Sequence, residues 1–328
     1  MTISTFHVTR RAVLAGGTAL AAMPIANSLL SGAASAAVPL LGPIRPAVYR
    51  VRLGDFEITT ILDGTTQGDG PHPIYGNNQP EAEVKELAAD NLLPETKFEN
   101  SFTPVIVNTG QQVILFDAGN GAPRRPNAGK LAATLDIAGI LPEQVDTVVI
   151  THCHPDHIGG LMESGNPTFP KARYFIGQAE YDFWSNPDRL TGPTEPVAKV
   201  VQTNVVPFAE QMTFLQPEQE VAPGIRTLDA SGHTPGMLGI HIESQGKRFV
   251  ILADTVNHAV MSLQRPEWHV RFDMDKEKAA AVRKRMLDML ATDRVPFTGY
   301  HLPFPSIGYA EKTSEGYRWL AHTYQLHL

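Results

Sequence analysis

Three histidines and one aspartate lie within the six residues from His152 to His157. In an extended segment, side chains two residues apart point the same way, so His152 and His154 can converge on one metal ion. Asp156 and His157 follow the bend at Pro155 and can face a neighbouring ion. Imidazole nitrogens and carboxylate oxygens are ligands that Zn²⁺ accepts. A polar loop with incidental histidines is the alternative, but the bunching directly after an apolar strand favours a metal site.

Three later residues occur in a similar context and could complete the coordination of two ions. His233 lies in the small-residue turn ASGHTPG, Asp254 ends the apolar segment VILADT, and His301 lies in TGYHLP at a predicted strand end. Two cations about 3.5–4 Å apart need anionic oxygens between and beside them, and Asp254 and Asp156 supply such oxygens. We therefore predict one site that collects ligands from four separate segments.

The order of these ligands resembles the metallo-β-lactamase superfamily, whose pattern is HxHxDH followed by His, Asp and His. The resemblance implies an α/β fold, an αββα four-layer sandwich, with the site along one edge of two sheets. It also implies two divalent ions, most readily Zn²⁺, although nitrogen and oxygen ligands also accept Mn, Co or Fe. The implied first ion is held by His152, His154 and His233, and the second by Asp156, His157 and His301, with Asp254 bridging them.

Asp117, in the segment LFDAG, resembles the first aspartate of the same superfamily. The resemblance implies that its carboxylate holds a ligand histidine in the correct orientation. The alternative is an ordinary turn-initiating aspartate that follows a strand.

A closer resemblance, to the methyl parathion hydrolase group of exported enzymes, extends over nearly the whole chain after residue 47. It implies hydrolysis of phosphotriesters or related esters and lactones, and commonly a homodimer. Thioester hydrolases of the glyoxalase II type share all seven ligands and stay an alternative, as does a metal-retaining binding protein without turnover. The matching segments are LGDFEIT (53–59), PEQVD (142–146), THCHPDHIGGLM (151–162), DFW (182–184), ESQG (243–246) and HLPFPSIG (301–308).

The expected reaction is attack by a hydroxide that bridges the two metal ions on an ester-type substrate. A water molecule between two divalent ions loses its proton near neutral pH, and the ions stabilise the negative charge that develops. Asp254 is the candidate to accept the hydroxide proton, and purely structural bridging is the alternative role.

The residues that would contact a substrate are less well defined than the ligands. Trp184 resembles an aromatic residue that lines the leaving-group pocket in the methyl parathion hydrolase group. Packing in the core explains this tryptophan equally well. His258, Met261 and Trp268 could line the opposite wall or form a surface loop. Cys153, the single cysteine, lies between two histidines that point the same way, so we expect its sulfur to face the core as apolar filler.

Apolar runs and turn residues predict the elements that position these side chains. Residues 64–80 and 185–196 are predicted to be loops because glycine and proline are frequent in both. We predict helices over Lys130–Ile140, Gln178–Trp184 and Asp275–Leu290. The predicted strands cover Val48–Leu53, Phe56–Leu62, Thr103–Asn108, Gln111–Phe116, Val145–Thr151, Ile225–Leu228, Met237–Glu243, Arg248–Leu252 and Val295–Tyr300.

The N-terminus differs from the rest of the chain. Residues 9–14 read TRRAVL, an alanine-rich apolar run continues to about Leu30, and Ala34-Ser35-Ala36 offers a small-residue cleavage pattern. These features resemble a twin-arginine export signal, so we expect residues 1–36 to be removed and the protein to be periplasmic or secreted. A retained membrane anchor is disfavoured because Pro24 and Asn27 interrupt the run. Residues 37–328 are predicted to form a single hydrolase domain.

The overall composition agrees with a globular protein that acts on small molecules. Hydrophobic residues make up 42% of the 328 residues, which is enough for a sizeable core. The formal net charge is −7, and an acidic protein has little attraction for nucleic acid. A single cysteine excludes an internal disulfide, so stability must come from packing.

Overall fold

Two seven-stranded sheets form the centre of the computed structural model, which describes residues 40–328. The predicted export signal, residues 1–36, lies outside the described residues. The strands are β1 (Val48–Leu53), β2 (Phe56–Ile61), β3 (Gly64–Asp69), β4 (Lys97–Phe102), β5 (Val105–Asn108), β6 (Val113–Phe116), β7 (Thr147–Ile150), β8 (Met162–Glu163), β9 (Asn166–Pro167), β10 (Arg173–Gly177), β11 (Met212–Leu215), β12 (Glu220–Ala222), β13 (Ile225–Asp229), β14 (Leu238–Ser244), β15 (Lys247–Ile251), β16 (Phe297–Thr298), β17 (Ile307–Lys312) and β18 (Tyr317–Ala321).

Each sheet is built from one half of the described chain. The first has the order β1-β2-β5-β6-β7-β10-β11, and the second runs β12 to β18 in sequence order. In the first sheet β6, β7, β10 and β11 are parallel neighbours, so the chain leaves β6, β7 and β10 at the same edge. In the second sheet β13 and β15 are both antiparallel to β14, and β16 is parallel to β15, so these three also end at one edge.

Seven α-helices accompany the sheets within residues 40–328. None of them combines the length and the apolar character that a membrane span requires. The helices are α1 (Glu81–Asp90), α2 (Leu131–Ile137), α3 (Pro155–Ile158), α4 (Gln178–Ser185), α5 (Glu195–Asn204), α6 (Met261–Gln264) and α7 (Lys276–Asp293).

Alternating side chains of the strands fill three core layers. In β7, Val148 packs in a layer with Leu135 of α2, while Val149 packs in the layer between the sheets with Phe249. In β15, Val250 faces the opposite way to Phe249 and joins the layer beneath α7. Because strand side chains alternate between faces, each sheet is covered on both sides. The predicted αββα sandwich is confirmed.

Helix α7 forms the outer layer over the second sheet. The side chain of Asp275 accepts a hydrogen bond from Lys278 N at 3.0 Å and caps the N-terminus. Val282, Met286 and Leu290 are buried against residues of β15 and β16. The helix predicted from the spacing of these three residues is confirmed and extends to Asp293.

The loop predicted over residues 64–80 is wrong in its first part. Gly64–Asp69 forms strand β3, which pairs antiparallel with β4 along its whole length. The segment is polar and only partly buried, so it shows no apolar alternation. Its partner strand lies about thirty residues further along the chain, so a local pattern could not reveal the pairing. In the second predicted loop, two short 3-10 turns lead into α5.

Candidate metal centre

The predicted ligands follow strands that end at a common edge. The chain leaves β7 at Ile150 and reaches His152, and α3 then carries Asp156 and His157. In the second sheet His233 follows β13, Asp254 follows β15 and His301 follows β16. A backbone hydrogen bond from Leu238 N to Thr151 O, 3.0 Å long, ties the two edges together. The structure thus brings together all seven residues that the sequence selected.

The first group consists of His152, His154, His233 and Asp254, whose potential ligand atoms all lie within 4.8 Å of one another. His154 Nδ1 lies 3.1 Å from His152 Nε2 and 2.9 Å from His233 Nε2. The Oδ2 atom of Asp254 lies 3.2 Å from His233 Nε2 and 3.8 Å from His152 Nε2. Three nitrogens and one carboxylate oxygen therefore surround one point, which is the ligand number of a tetrahedral Zn²⁺ site.

The second group consists of Asp156, His157 and His301. His301 Nε2 lies 3.4 Å from Asp156 Oδ2, and His157 Nε2 lies 3.7 Å from the same oxygen. Asp254 reaches this group as well, because its Oδ1 lies 3.3 Å from His157 Nε2 and its Oδ2 lies 3.1 Å from His301 Nε2. The carboxylate of Asp254 stands between the two groups.

Two buried atoms in the centre have no hydrogen-bond partner. They are His157 Nε2 and Asp254 Oδ1, and a buried polar atom without a partner is costly. In the first group, the ring nitrogens His152 Nε2 and His154 Nδ1 face each other. Burial lowers the pKa of His154 to about 3, so its ring is neutral. A divalent cation accepts lone pairs from all of these atoms at once, so the donor set fits such an ion.

Three of the histidines are held at the ring nitrogen that faces away from the centre. His157 Nδ1 lies 2.8 Å from Asp117 Oδ2, and His233 Nδ1 lies 2.8 Å from Asp273 Oδ1. His301 Nδ1 donates to the carbonyl oxygen of Ser101 at 2.9 Å. When Nδ1 donates its proton to an acceptor, Nε2 keeps its lone pair for a metal ion.

The carboxylates give the centre a negative field. Burial alone lowers the pKa of His233, but its hydrogen bonds to Asp254 and Asp273 outweigh burial and raise that pKa to about 9. Burial raises the pKa of Asp254, yet the neighbouring His301 and His157 hold it well below its usual value. A field that attracts protons to buried histidines also attracts a divalent cation, and the cation replaces those protons.

Asp117 lies where the resemblance implied. Its Oδ1 accepts from Thr151 N and its Oδ2 accepts from Thr151 Oγ1, both at 2.8 Å, in addition to its contact with His157. Asp117 has a φ of 64°, a left-handed conformation that aspartate and asparagine tolerate better than most residues.

Several residues that support the ligands were not predictable from the sequence. Asp273 holds His233 and forms a buried ion pair with Arg283, whose Nη2 lies 2.8 Å from Asp273 Oδ2. Tyr300 stacks on His157 with ring centroids 3.8 Å apart and donates to Asp156 O. Glu180, in α4, accepts from the backbone of Cys153. The only sequence signal for Tyr300 was its position next to His301.

The structure places Trp184 and Cys153 in the core layer between the first sheet and its helices. Trp184 is 2% exposed, and its indole N–H donates to Glu180 Oε1 at 2.9 Å. Its ring centroid lies 6.3 Å from that of His154, so it borders a ligand but leaves little surface for a substrate. Cys153 is fully buried there, as predicted for apolar filler, and belongs to neither ligand group.

His258 and Met261 lie in the segment that follows Asp254. His258 is partly buried, and its Nδ1 accepts hydrogen bonds from Val260 N at 3.1 Å and Met261 N at 3.2 Å. Burial lowers the pKa of His258 to about 4, so the ring is neutral with its proton on Nε2. Met261 is 1% exposed and packs with Tyr75 and Trp268. Of the predicted pocket residues, Trp184, Met261 and Trp268 are buried and His258 is partly buried.

A family model described as the metallo-beta-lactamase superfamily matches residues 100–298. Among curated proteins, an N-acyl homoserine lactonase from Bacillus sp is 22% identical over 223 residues, which cover 68% of this chain and 79% of that protein. An N-acyl homoserine lactonase from Bacillus cereus is also 22% identical, over 61% of this chain and 77% of that protein.

Solved structures of similar fold cover most of this chain. AidC, described as a dizinc quorum-quenching lactonase in complex with a product, has a TM-score of 0.76 and 25% identity, covering 85% of this chain and 98% of that one. AbOPH, a hydrolase in the beta lactamase superfamily, has a TM-score of 0.78 and 24% identity, covering 86% of this chain and 100% of that one.

Proposed function

This chain belongs to the metallo-β-lactamase superfamily as a metal-dependent hydrolase acting on ester bonds, and we propose that it opens lactone rings at a centre of two divalent ions. The proposed substrate is an N-acyl homoserine lactone, and Zn²⁺ is the proposed metal. The curated relatives are named for that activity, and AidC is described as a dizinc lactonase.

The position of Asp254 is the observation that carries this proposal. One buried carboxylate places Oδ2 3.2 Å from His233 Nε2 in the first group and Oδ1 3.3 Å from His157 Nε2 in the second. A single ion would not need two ligand groups that share a carboxylate. An arrangement of this kind suits a two-metal site, in which neighbouring ions are bridged by an anionic oxygen.

The chain's own residues supply three functions in the proposed reaction. The histidines and Asp156 would hold the ions, which when bound would acidify a water molecule and polarise the carbonyl group. Asp254 is positioned to accept a proton at a carboxylate oxygen between the two groups. His258 carries its proton on Nε2, because Nδ1 is occupied by two backbone N–H groups. We propose that this N–H donates to an oxygen of the substrate.

Three other substrate classes and a binding role without turnover are the alternatives to lactone hydrolysis. The likeness to the methyl parathion hydrolase group supports a phosphotriester or a simple ester. The seven ligands would also serve a thioester hydrolase of the glyoxalase II type. A metal-retaining binding protein would keep the ligands without turnover.

A panel of substrates tests the proposal. Zinc- or manganese-loaded protein is assayed with an N-acyl homoserine lactone, a p-nitrophenyl phosphotriester, a phenyl ester, a thioester and a nitrocephin-type lactam. We expect the highest kcat/KM for the lactone, loss of activity in Asp254→Asn, and unchanged activity in Asp136→Asn, an exposed control on α2. A higher kcat/KM for another class would reassign the substrate, and no turnover of any would favour the binding protein.

We also propose that the protein is exported to the periplasm or beyond and acts there as a homodimer. The support is the twin-arginine-type pattern in residues 1–36 and the likeness to a group of exported dimeric enzymes. N-terminal sequencing of the exported protein should give a start after Ala36, and light scattering should give twice the mass of the processed chain. A mature protein that begins at Met1, or that stays monomeric, would contradict the respective proposal.

A further inference from the structure

Glu180 is a fully buried carboxylate in the first turn of α4, 0% exposed and without a basic partner among its contacts. It accepts four hydrogen bonds, which use both of its oxygens. Oε1 accepts from Cys153 N and Trp184 Nε1, each at 2.9 Å. Oε2 accepts from Thr234 Oγ1 at 2.7 Å and Gly236 N at 2.9 Å. Burying a carboxylate is costly, so four aligned donors indicate a specific structural task.

The four donors lie next to the three histidines of the first ligand group. Cys153 stands between His152 and His154, and Thr234 directly follows His233. The ring of Trp184 lies against His154. Glu180 therefore joins the loop after β7 in the first sheet to the turn after β13 in the second sheet.

The close approach of the backbones supports this linkage. A Cβ atom on Gly236 would lie 2.1 Å from Glu180 N, so only a glycine permits the turn to rest against α4. Gly177, just before α4, is similarly close, since a Cβ atom there would lie 2.7 Å from Gly236 O. The turn that carries His233 is thus packed directly on the helix that carries Glu180.

The second ligand group is held by other residues. Asp117 contacts His157, Ser101 contacts His301, and Tyr300 contacts both Asp156 and His157. None of the hydrogen bonds of Glu180 reaches a residue of this group. Asp117 also accepts from Thr151, next to His152, so it serves both groups, whereas the hydrogen bonds of Glu180 lie only beside the first group.

We propose that Glu180 is a positioning residue for one of the two metal positions, the one formed by His152, His154 and His233. It sets the spacing of these three histidines without contacting the metal ion itself. The inference rests on the proposed two-ion centre. Replacing the carboxylate by an amide turns one of its two acceptor oxygens into a donor that faces two other donors, so two hydrogen bonds are lost although the shape is kept.

Zinc affinity in two single-position backgrounds tests the proposal. His301→Ala disables the second position and leaves the first, whereas His233→Ala disables the first and leaves the second. In the His301→Ala background, Glu180→Gln should lower the Zn²⁺ affinity about 10–100-fold, as is typical when a residue supporting a ligand is lost. In the His233→Ala background, Glu180→Gln should leave the affinity unchanged. Competition with a chromophoric chelator measures both affinities.

A destabilised control separates positioning from general loss of stability. Leu290→Ala removes buried side-chain volume under α7, and we expect it to leave the Zn²⁺ affinity unchanged in both backgrounds. If Glu180→Gln does not fold, Thr234→Val removes a single donor and should produce a smaller, equally selective loss. Equal losses in both backgrounds, or no loss in either, would overturn the role of Glu180. Absence of zinc binding in both backgrounds before Glu180 is changed would instead contradict the metal centre.

Discussion

At the scale of single residues, three of the five histidines of the centre are each fixed by a different acceptor. Asp117, Asp273 and the carbonyl oxygen of Ser101 hold the outer nitrogens of His157, His233 and His301. Such contacts choose the tautomer and orient the ring, so they decide whether the lone pair of Nε2 points into the centre. These acceptors differ in charge, so we expect their replacement to lower the metal affinity by different amounts.

Asp117→Asn should weaken metal binding without disturbing the backbone. Asparagine tolerates the left-handed conformation at this position, where φ is 64°. It cannot accept at both oxygens, so it loses part of its contacts with His157 and Thr151. We expect the affinity for the divalent ion to fall about 10–100-fold in a chelator competition. Asp136→Asn is the exposed control, and equal affinities of the two variants would show that Asp117 does not support a ligand.

Arg283→Met should destabilise the fold by about 3–5 kcal/mol, because it leaves the buried carboxylate of Asp273 without its ion-pair partner. Arg283 is 0% exposed and also donates to the carbonyl oxygens of Thr255, Pro266 and Trp268. Urea unfolding measures the change in the free energy of unfolding. Lys284→Met, at an exposed neighbour on α7, is the control. A loss no larger than in the control would mean that the pair contributes little.

The sequence identified the ligands and Asp117 but not the supports Asp273 and Glu180, for a physical reason. The ligands bunch in a motif or follow apolar strands, whereas Asp273 and Glu180 meet their partners only when distant loops pack together. Asp273 lies forty residues from His233, and Glu180 lies fifty-four from Thr234. Neither carboxylate stands in a local pattern that distinguishes it from a surface acid.

At the scale of elements, apolar strands were predictable and polar strands were not. Strand β7 and the last three residues of β15 are buried on both faces, and they appear as short apolar runs in the sequence. Strand β3 is polar and partly exposed, and its pairing with β4 depends on a partner beyond helix α1. The same reasoning explains why the helix α7, with its regular buried face, was predicted almost to its ends.

Asp275→Ala should lower the free energy of unfolding by about 0.5–2 kcal/mol, the usual contribution of an N-cap. The side chain of Asp275 accepts from Lys278 N, a donor that the helix itself cannot satisfy. Thermal or urea unfolding gives the change, with Lys284→Ala in the middle of the same helix as the matched variant. A stability equal to that of the Lys284→Ala protein would contradict the capping role.

His241 on β14 should make the second sheet less stable in acid. Burial, together with the charge of Arg226 opposite it on β13, lowers the pKa of His241 below 6.5, while Glu243 has a smaller opposing effect. The unfolded chain then binds a proton at His241 more readily than the folded chain does. The folded protein therefore keeps its full stability at this position above pH 6.5 and loses part of it as the pH falls through that value.

His241→Gln should therefore reduce the loss of stability between about pH 7.5 and about pH 5, the range in which a histidine titrates. Urea unfolding at a series of pH values measures this dependence. Arg226→Gln should reduce it less, since burial is the larger cause. A pH dependence identical to that of the unchanged protein in both variants would exclude His241 as a source.

At the scale of the whole molecule, the centre exists because two sheets end at a common edge. The first sheet supplies Asp117, the histidine cluster and Glu180 after three parallel strands, and the second supplies His233, Asp254 and His301. The superfamily resemblance was sufficient to predict this architecture. The packing of Tyr75 with Met261 and Trp268 was not predictable, because it joins segments almost two hundred residues apart.

The number of divalent ions bound per chain tests the central claim most directly. A two-ion centre requires both ligand groups to be filled at once, with Asp254 between them. Elemental analysis of the folded protein, after dialysis against metal-free buffer, should give two ions per chain. A ratio of one ion, or of none, in a protein that remains folded would contradict the two-ion centre.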